Sequence, residues 1–302
     1  MTTQPLTIAI VGLGSIGGIA AATLAASGRH RVVACVRQPV TQFTLERGAE
    51  ETKVALTSLT DPAQATPADW VFVCTKTPGT ASTAPWLARL CTPATKVAVL
   101  QNGIDHVARV APMANGATVM PVIVYTNAER LGPDRVRMRQ VGEHDYVVAD
   151  DALGRAYAAL FEGTPLRVHF SDDLVTLLWR KLLMNATANP ISALTMQRQI
   201  VFRRPDVQKL CLDVLAESVA VGRAEGARLA PDEDQRILTQ LLGYSPELGT
   251  SMYFDRMAGR PLEIEALNGA IVAAGERHGI ATPLNRALLT MLKAVSDATE
   301  KK

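Results

Sequence analysis

Lys181, Asn185 and Asn189 recur at steps of four inside LVTLLWRKLLMNATANPISAL, residues 174–194, where almost every other side chain is apolar or small. On a helix, each step of four turns about 40° around the axis and climbs about 6 Å, so the three side chains form one slanting stripe. The other faces carry Leu177, Leu178, Leu182, Leu183, Met184 and Ala186, and a helix that is apolar nearly all round is buried. A buried ammonium without a partner is very costly, so Lys181 and the two carboxamides must face water, a ligand or each other. The competing reading is a solvated surface lysine, with Asn189 before Pro190 as an ordinary helix end.

A second candidate lies in SMYFDRMAGRPLEIEALNG, residues 251–269, where Ser251 and Glu263 are the polar groups of interest. Pro261 and Glu263 also fit plain capping and dipole placement at a helix start.

The third set is at the N-terminus. LTIAIV, residues 6–11, is a short β-branched run suited to a strand buried on both faces. It leads into Gly12-Leu13-Gly14-Ser15-Ile16-Gly17 and an Ala-rich helical segment. Strand, G-x-G-x-x-G and helix in that order bind a dinucleotide: Gly12 permits the tight turn, Gly14 admits the pyrophosphate, Gly17 lets helix and strand pack, and the helix N-terminus offers N–H donors. The next strand, RVVACV, closes on Arg37 where an NAD-binding chain would carry an acidic residue for the ribose 2′-hydroxyl. A guanidinium there suits a 2′-phosphate, so the expected cofactor is NADP(H). Two further apolar runs end at Lys76 and at Gln101-Asn102-Gly103. Ligands of open α/β sheets sit beyond the carboxyl ends of the strands, which places Lys76 and Asn102 to reach cofactor or substrate; turn chemistry is the alternative for both.

These residues need two kinds of scaffold. Short strands alternating with helices run to residue 170, with strands read at 117–125, 135–141, 145–149 and 166–170 and a helix at 151–162. Helical periodicity takes over afterwards, at 171–195, 205–225, 231–243, 249–257, 263–278 and 283–297, opened by the N-cap cluster Ser171-Asp172-Asp173. The expected fold is α/β, an N-terminal Rossmann-type doubly wound sheet in residues 1–170 followed by an all-helical C-terminal domain in 171–302.

Composition is compatible. The 302 residues are 48% hydrophobic and 20% charged, and a net charge of +2 gives no reason to expect nucleic acid or an anionic membrane as partner. Cysteines 35, 74, 91 and 211 have no metal or disulfide spacing and read as free thiols in a reducing compartment. Residues 5–28 are uncharged, but no basic residue precedes them, and glycines at 12, 14, 17 and 18 argue against a membrane helix. A cytoplasmic location is expected. No His, Cys or Asp cluster has metal-ligand spacing.

Taken together, GLGSIGG, the Arg after the second strand, Lys76, Asn102-Gly103, WRKLLMNATANPISAL, SMYFDRMAGRPLEIEALNG and HGIATPLN resemble the ketopantoate reductase family along nearly the whole chain. The resemblance implies NADPH-dependent reduction of a 2-oxo acid, 2-dehydropantoate, in pantothenate and coenzyme A synthesis. It implies Lys181 as the catalytic lysine, Asn185 and Asn189 as substrate asparagines, and Ser251 as the contact to the substrate carboxylate. Glu263 becomes the glutamate paired near the active site, Asn102 and Lys76 serve cofactor and substrate, and Gly12 to Gly17 with Arg37 form the dinucleotide site. A homodimer through the helical domain is a further implication. Gly79, Gln199 and Leu248 depart from side chains that some members carry, and leave room for another 2-oxo acid. A non-catalytic NADP(H) sensor is the third alternative, and the intact Lys181, Asn185, Asn189, Ser251 and Glu263 set argues against it.

Overall fold

A computed structural model describes residues 4–139 and 142–300. The last two residues of the strand expected at 135–141, Gln140 and Val141, lie outside the described residues, as do the extreme ends of both expected domains. The chain divides into two compact units, one of Met1–Gln101 with His106–Leu174, the other of Asn102–Asp105 with Val175–Lys302.

In chain order the first unit runs β1 (Thr7–Val11), α1 (Ser15–Ala26), β2 (Arg31–Cys35), β3 (Gln42–Arg47), β4 (Glu50–Ala55), β5 (Thr57–Leu59) and β6 (Trp70–Val73). It continues with α2 (Ala84–Leu90), β7 (Lys96–Val99), α3 (His106–Val110), β8 (Thr118–Pro121), β9 (Ile123–Val124), β10 (Asn127–Gly132), β11 (Arg135–Arg139), β12 (Tyr146–Ala149), α4 (Ala152–Ala159) and β13 (Val168–Ser171). Six strands form an all-parallel sheet in the order β5-β2-β1-β6-β7-β8. Its apolar runs are continuous because both faces are covered. Ile8, Ile10, Trp70 and Phe72 enter one core, and the alternate residues Ala9, Val11, Val71 and Val73 enter another.

The strand order turns at β1, and the register is level: Val11 pairs with Cys35 and Val73, and Val73 with Val99. Everything the chain places just after those four residues therefore leaves from one edge of the sheet, the position where open α/β sheets bind ligands.

Two departures from the sequence expectation have local causes. No strand is read from the charged stretch 39–60, yet β3 and β4 form a hairpin there with β5 following. Buried Phe43, Leu45 and Val54 supply the apolar face, and the charges lie outward, where Arg135 and Arg137 pair with Glu46 at 2.6 and 2.7 Å. The run 117–125 is also divided, β8 joining the six-stranded sheet and β9 pairing with β12 in a three-stranded one.

The second unit is helical: α5 (Leu174–Thr195), α6 (Pro205–Ala224), α7 (Glu233–Gly243), α8 (Ser251–Met257), α9 (Asn268–His278) and α10 (Pro283–Glu300). Its core gathers Trp179, Leu182, Leu183 and Ala186 of α5 with residues of the later helices, and Ile104 packs against it. The α5 helix continues past Pro190, so the Asn-Pro pair is not its end. The helix expected at 263–278 is broken: Ile264–Ala266 is a 3-10 turn, and α9 starts only at Asn268.

Candidate active site

The glycine turn has the geometry that its sequence demands. Gly12 has φ +99°, a conformation that L side chains rarely adopt, and a Cβ there would stand 2.8 Å from the Thr75 backbone nitrogen. A Cβ on Gly17 would overlap the Gly12 carbonyl oxygen and reach 3.0 Å from Cys74 Cβ, so α1 packs on the turn only because position 17 is bare. At Gly14, in contrast, a Cβ would meet nothing within 4 Å. Gly14 is also the N-cap of α1, with no side chain capping it and no acidic residue in the first turn. The first N–H groups of the helix are thus left to an anion, and the open space over Gly14 suits a pyrophosphate. Leu13 turns its side chain into the core, and Ser15 and Ile16 are half-buried, so these three contribute to the turn mainly through backbone.

The end of β2 is fastened to this turn, since Gly12 N–H donates to the Cys35 carbonyl at 3.2 Å. Two residues on, Arg37 is exposed and has no hydrogen-bond or ion-pair partner among the described residues. Lys76 is exposed at the start of the 3-10 turn Thr77–Gly79. A residue that sequence reasoning missed holds this corner together. Buried Gln101 donates from Nε2 to the Thr75 carbonyl and to Thr80 Oγ1, each at 2.8 Å, tying the loop after β6 to the end of β7. Its position just before Asn102 was the only available signal.

In the second unit the structure brings Lys181, Glu263 and Asn102 together. Glu263 is buried, and its Oε2 accepts from Asn102 Nδ2 at 2.9 Å. Gly103, with φ +99°, brings the 102–105 segment so near Ala266 that a Cβ would lie 2.8 Å from that carbonyl oxygen. Glu263 occupies the N-cap position of the Ile264–Ala266 turn without a side-chain cap bond, so its carboxylate serves Asn102 rather than a helix start. Burial lowers the Lys181 pKa to about 8, opposed by the nearby Glu263 charge.

Asn185 is half-buried and Asn189 buried, and neither carboxamide makes a hydrogen bond among the described residues. The backbone of Asn189 is linked to the Ser251 region: Ser192 Oγ donates to the Asn189 carbonyl at 3.1 Å and shares a 2.6 Å hydrogen bond with Thr250 Oγ1. Thr250 Oγ1 in turn caps α8 by accepting from Tyr253 N–H, which sets exposed Ser251 at the first position of that helix. Arg256 of α8 also donates to the Ala193 carbonyl near the end of α5. Ser192 and Thr250 have no signal in the sequence beyond their types. Next to Lys181, Arg180 makes a two-point contact to buried Glu233 at 2.8 and 3.2 Å, which fastens α5 to α7.

The arrangement offers an ammonium with a lowered pKa, a carboxylate beside it held by an amide, two carboxamides on the same helix unpaired among the described residues, and, in the first unit, a helix N-terminus open to an anion. Among the described residues no group of three or more His, Cys, Asp or Glu could hold a metal ion.

Comparison with known proteins agrees across the whole chain. The family described as Ketopantoate reductase PanE/ApbA matches residues 8–150, and its C-terminal part matches 173–296. A 2-dehydropantoate 2-reductase of Caulobacter vibrioides is 37% identical over 289 residues, covering 96% of this chain and 99% of its own. The crystal structure of a PanE/ApbA family ketopantoate reductase from Ralstonia eutropha JMP134 superposes with a TM-score of 0.88 at 29% identity, covering 98% of this chain and all of that one. A dimeric ketopantoate reductase from Staphylococcus aureus superposes with a TM-score of 0.86 at 26% identity, covering 97% and 100%.

Proposed function

The chain belongs to the ketopantoate reductase family, and on that premise we propose that it reduces 2-dehydropantoate to pantoate with NADPH, Lys181 giving the proton. The cofactor, when bound, supplies a hydride to the 2-oxo carbon. The residues present fit it: the open N-terminus of α1 and the bare Gly14 would hold the pyrophosphate, and exposed Arg37 would hold the 2′-phosphate.

The chain's own work concerns the carbonyl oxygen. As the 2-oxo carbon is reduced, negative charge gathers on that oxygen, and the Lys181 ammonium stabilises the charge and passes a proton to it from Nζ. The product is a 2-hydroxy acid, and the lysine is left neutral. Glu263, itself held by Asn102, keeps the ammonium charged against the cost of burial. Asn185 and Asn189 orient the substrate's oxygens without adding charge, and Ser251 binds its carboxylate. The observation that carries this reading is the buried Glu263 carboxylate, held by Asn102 at 2.9 Å beside Lys181, whose pKa burial lowers to about 8. A group in that range is charged at neutral pH and gives its proton more readily than an ordinary lysine.

The second unit is then the substrate domain, and a homodimer is supported by the dimeric S. aureus relative. Among the described residues no helix is long and apolar enough to cross a membrane. All four cysteines are buried free thiols, which supports a reducing, cytoplasmic setting.

The test is NADPH oxidation against a panel of 2-oxo acids. A pocket that hydrogen-bonds the substrate's hydroxyl should prefer 2-dehydropantoate over 2-oxoisovalerate, which lacks the hydroxymethyl group, by at least about tenfold in kcat/KM. Equal or better use of 2-oxoisovalerate or an aromatic 2-oxo acid would assign the chain a different substrate, as Gly79 and Leu248 would permit.

A further inference from the structure

Pro190 sits inside α5, so the carbonyl four residues earlier, that of Ala186, lacks the backbone N–H that an α-helix ordinarily supplies to it. Ala186 is fully buried, and a buried carbonyl left without a donor is costly. The Asn268 carboxamide, itself fully buried, donates from Nδ2 to that oxygen at 2.9 Å. A side chain from α9 thus takes the place of the missing backbone bond. Its aim is set by a network behind it. The same nitrogen donates to Asn285 Oδ1 at 2.9 Å, and Asn285 Nδ2 donates to Glu217 Oε2 at 2.8 Å. The Glu217 carboxylate also accepts the backbone N–H groups of Leu284 and Asn285 at 2.9 and 3.0 Å. Asn268 is therefore held by α6 and α10 while it reaches α5.

The turn it completes is the one between Asn185 and Asn189. A proline within a helix ordinarily opens the preceding turn and bends the axis, and either movement would swing one asparagine relative to the other. Asn268 also follows Glu263 by five residues, and between them the 3-10 turn is closed by Ala266 N–H donating to the Glu263 carbonyl at 3.2 Å. The bond to Ala186 thus docks the segment carrying Glu263 onto the helix carrying Lys181.

We infer that Asn268 is a positioning residue, whose amide stands in for the hydrogen bond that Pro190 cannot make and thereby sets the relative aim of Asn185 and Asn189. The inference rests on the reading above, in which those two asparagines hold the substrate. Replacing Pro190 by Ala supplies the backbone N–H that would make Asn268 dispensable for this role, which allows a rescue test in the full-length enzyme.

Four variants are compared by initial rates against 2-dehydropantoate at saturating NADPH and by direct NADPH titration: Asn268→Ala, Pro190→Ala, the double variant Pro190→Ala/Asn268→Ala, and Asn189→Ala. Asn268→Ala should raise KM roughly tenfold through misaimed substrate contacts while NADPH affinity stays within about twofold. The double variant should return KM to within about threefold of Pro190→Ala alone, because the backbone N–H gained at position 190 now serves the Ala186 carbonyl. A role confined to the Asn285 network would persist in the double variant, so an unrescued KM there overturns the inference, as does a wild-type KM in Asn268→Ala. If Asn268→Ala does not fold, a folded double variant supports the inference and an unfolded one refutes it. A wild-type KM in Asn189→Ala removes the substrate reading and the inference with it. A raised KM in Asn189→Ala beside a wild-type KM in Asn268→Ala refutes the positioning role alone.

Discussion

An ammonium that titrates near 8 instead of 10.5 leaves a mark on the rate profile. Lys181 is charged below that value and neutral above it, so kcat/KM for reduction should be level near neutrality and fall about tenfold per unit as pH rises past about 8. Glu263 opposes the effect of burial, so Glu263→Gln should move the falling limb to lower pH, and Lys181→Ala should cost about 10² to 10⁴ in kcat with NADPH still bound. A rate that stays level to pH 10 in the wild type, or near-normal kcat in a folded Lys181→Ala protein, would refute the proton-donor role. Arg37 makes a separable contribution. A charge-assisted contact to a 2′-phosphate is worth about 1.5 to 3 kcal/mol, so Arg37→Ala should weaken NADPH binding by roughly one to two decades and leave NADH nearly unchanged. Equal losses for both would make Arg37 structural.

At the scale of elements, the glycine turn is where packing and binding share residues. Gly17 lets α1 approach the Gly12 carbonyl and Cys74, and any Cβ must push the helix away. The turn proposed to hold the pyrophosphate then moves too. Gly17→Ala should lower NADPH affinity by at least about tenfold, read by titration, through loss of the ordered N–H donors at the helix start. Gly14→Ala meets no neighbour within 4 Å, so it should leave thermal stability near wild type while still hindering the cofactor. A Gly14→Ala protein that binds NADPH normally would move the pyrophosphate away from this turn. The neighbouring hairpin of β3 and β4 belongs to the same construction, because the Phe43 ring fills the space that a side chain at Gly18 would need.

For the whole molecule, each unit has its own core, and the second recruits Asn102–Asp105 from between β7 and α3. The short segment after Gln101 therefore folds with the helices and delivers Asn102 to Glu263, although it follows directly on a strand of the first unit. Dimer formation is tested by mass: sedimentation equilibrium should give twice the 32.4 kDa of one chain. A species of single-chain mass across micromolar concentrations would exclude the dimer.

The sequence by itself determined the features that depend on near neighbours along the chain. Apolar runs such as LTIAIV and DWVFV suit strands covered on both faces, the bare positions 12, 14 and 17 suit a tight turn under a helix, and steps of four put Lys181, Asn185 and Asn189 on one stripe once the segment is helical. The 39–60 hairpin stayed hidden because its charges outnumber its few inward residues, and only pairing with β11 explains where those charges go. Tertiary structure alone decided the partners. Asn102 meets Glu263 across 161 residues, and Asn268 meets Ala186 across 82. Pro190 announces in the sequence that a carbonyl lacks its donor, but which side chain answers depends on the packing of α5 against α9. The Lys181 pKa has the same origin, since burial and the Glu263 charge act through space and leave no trace in the order of residues.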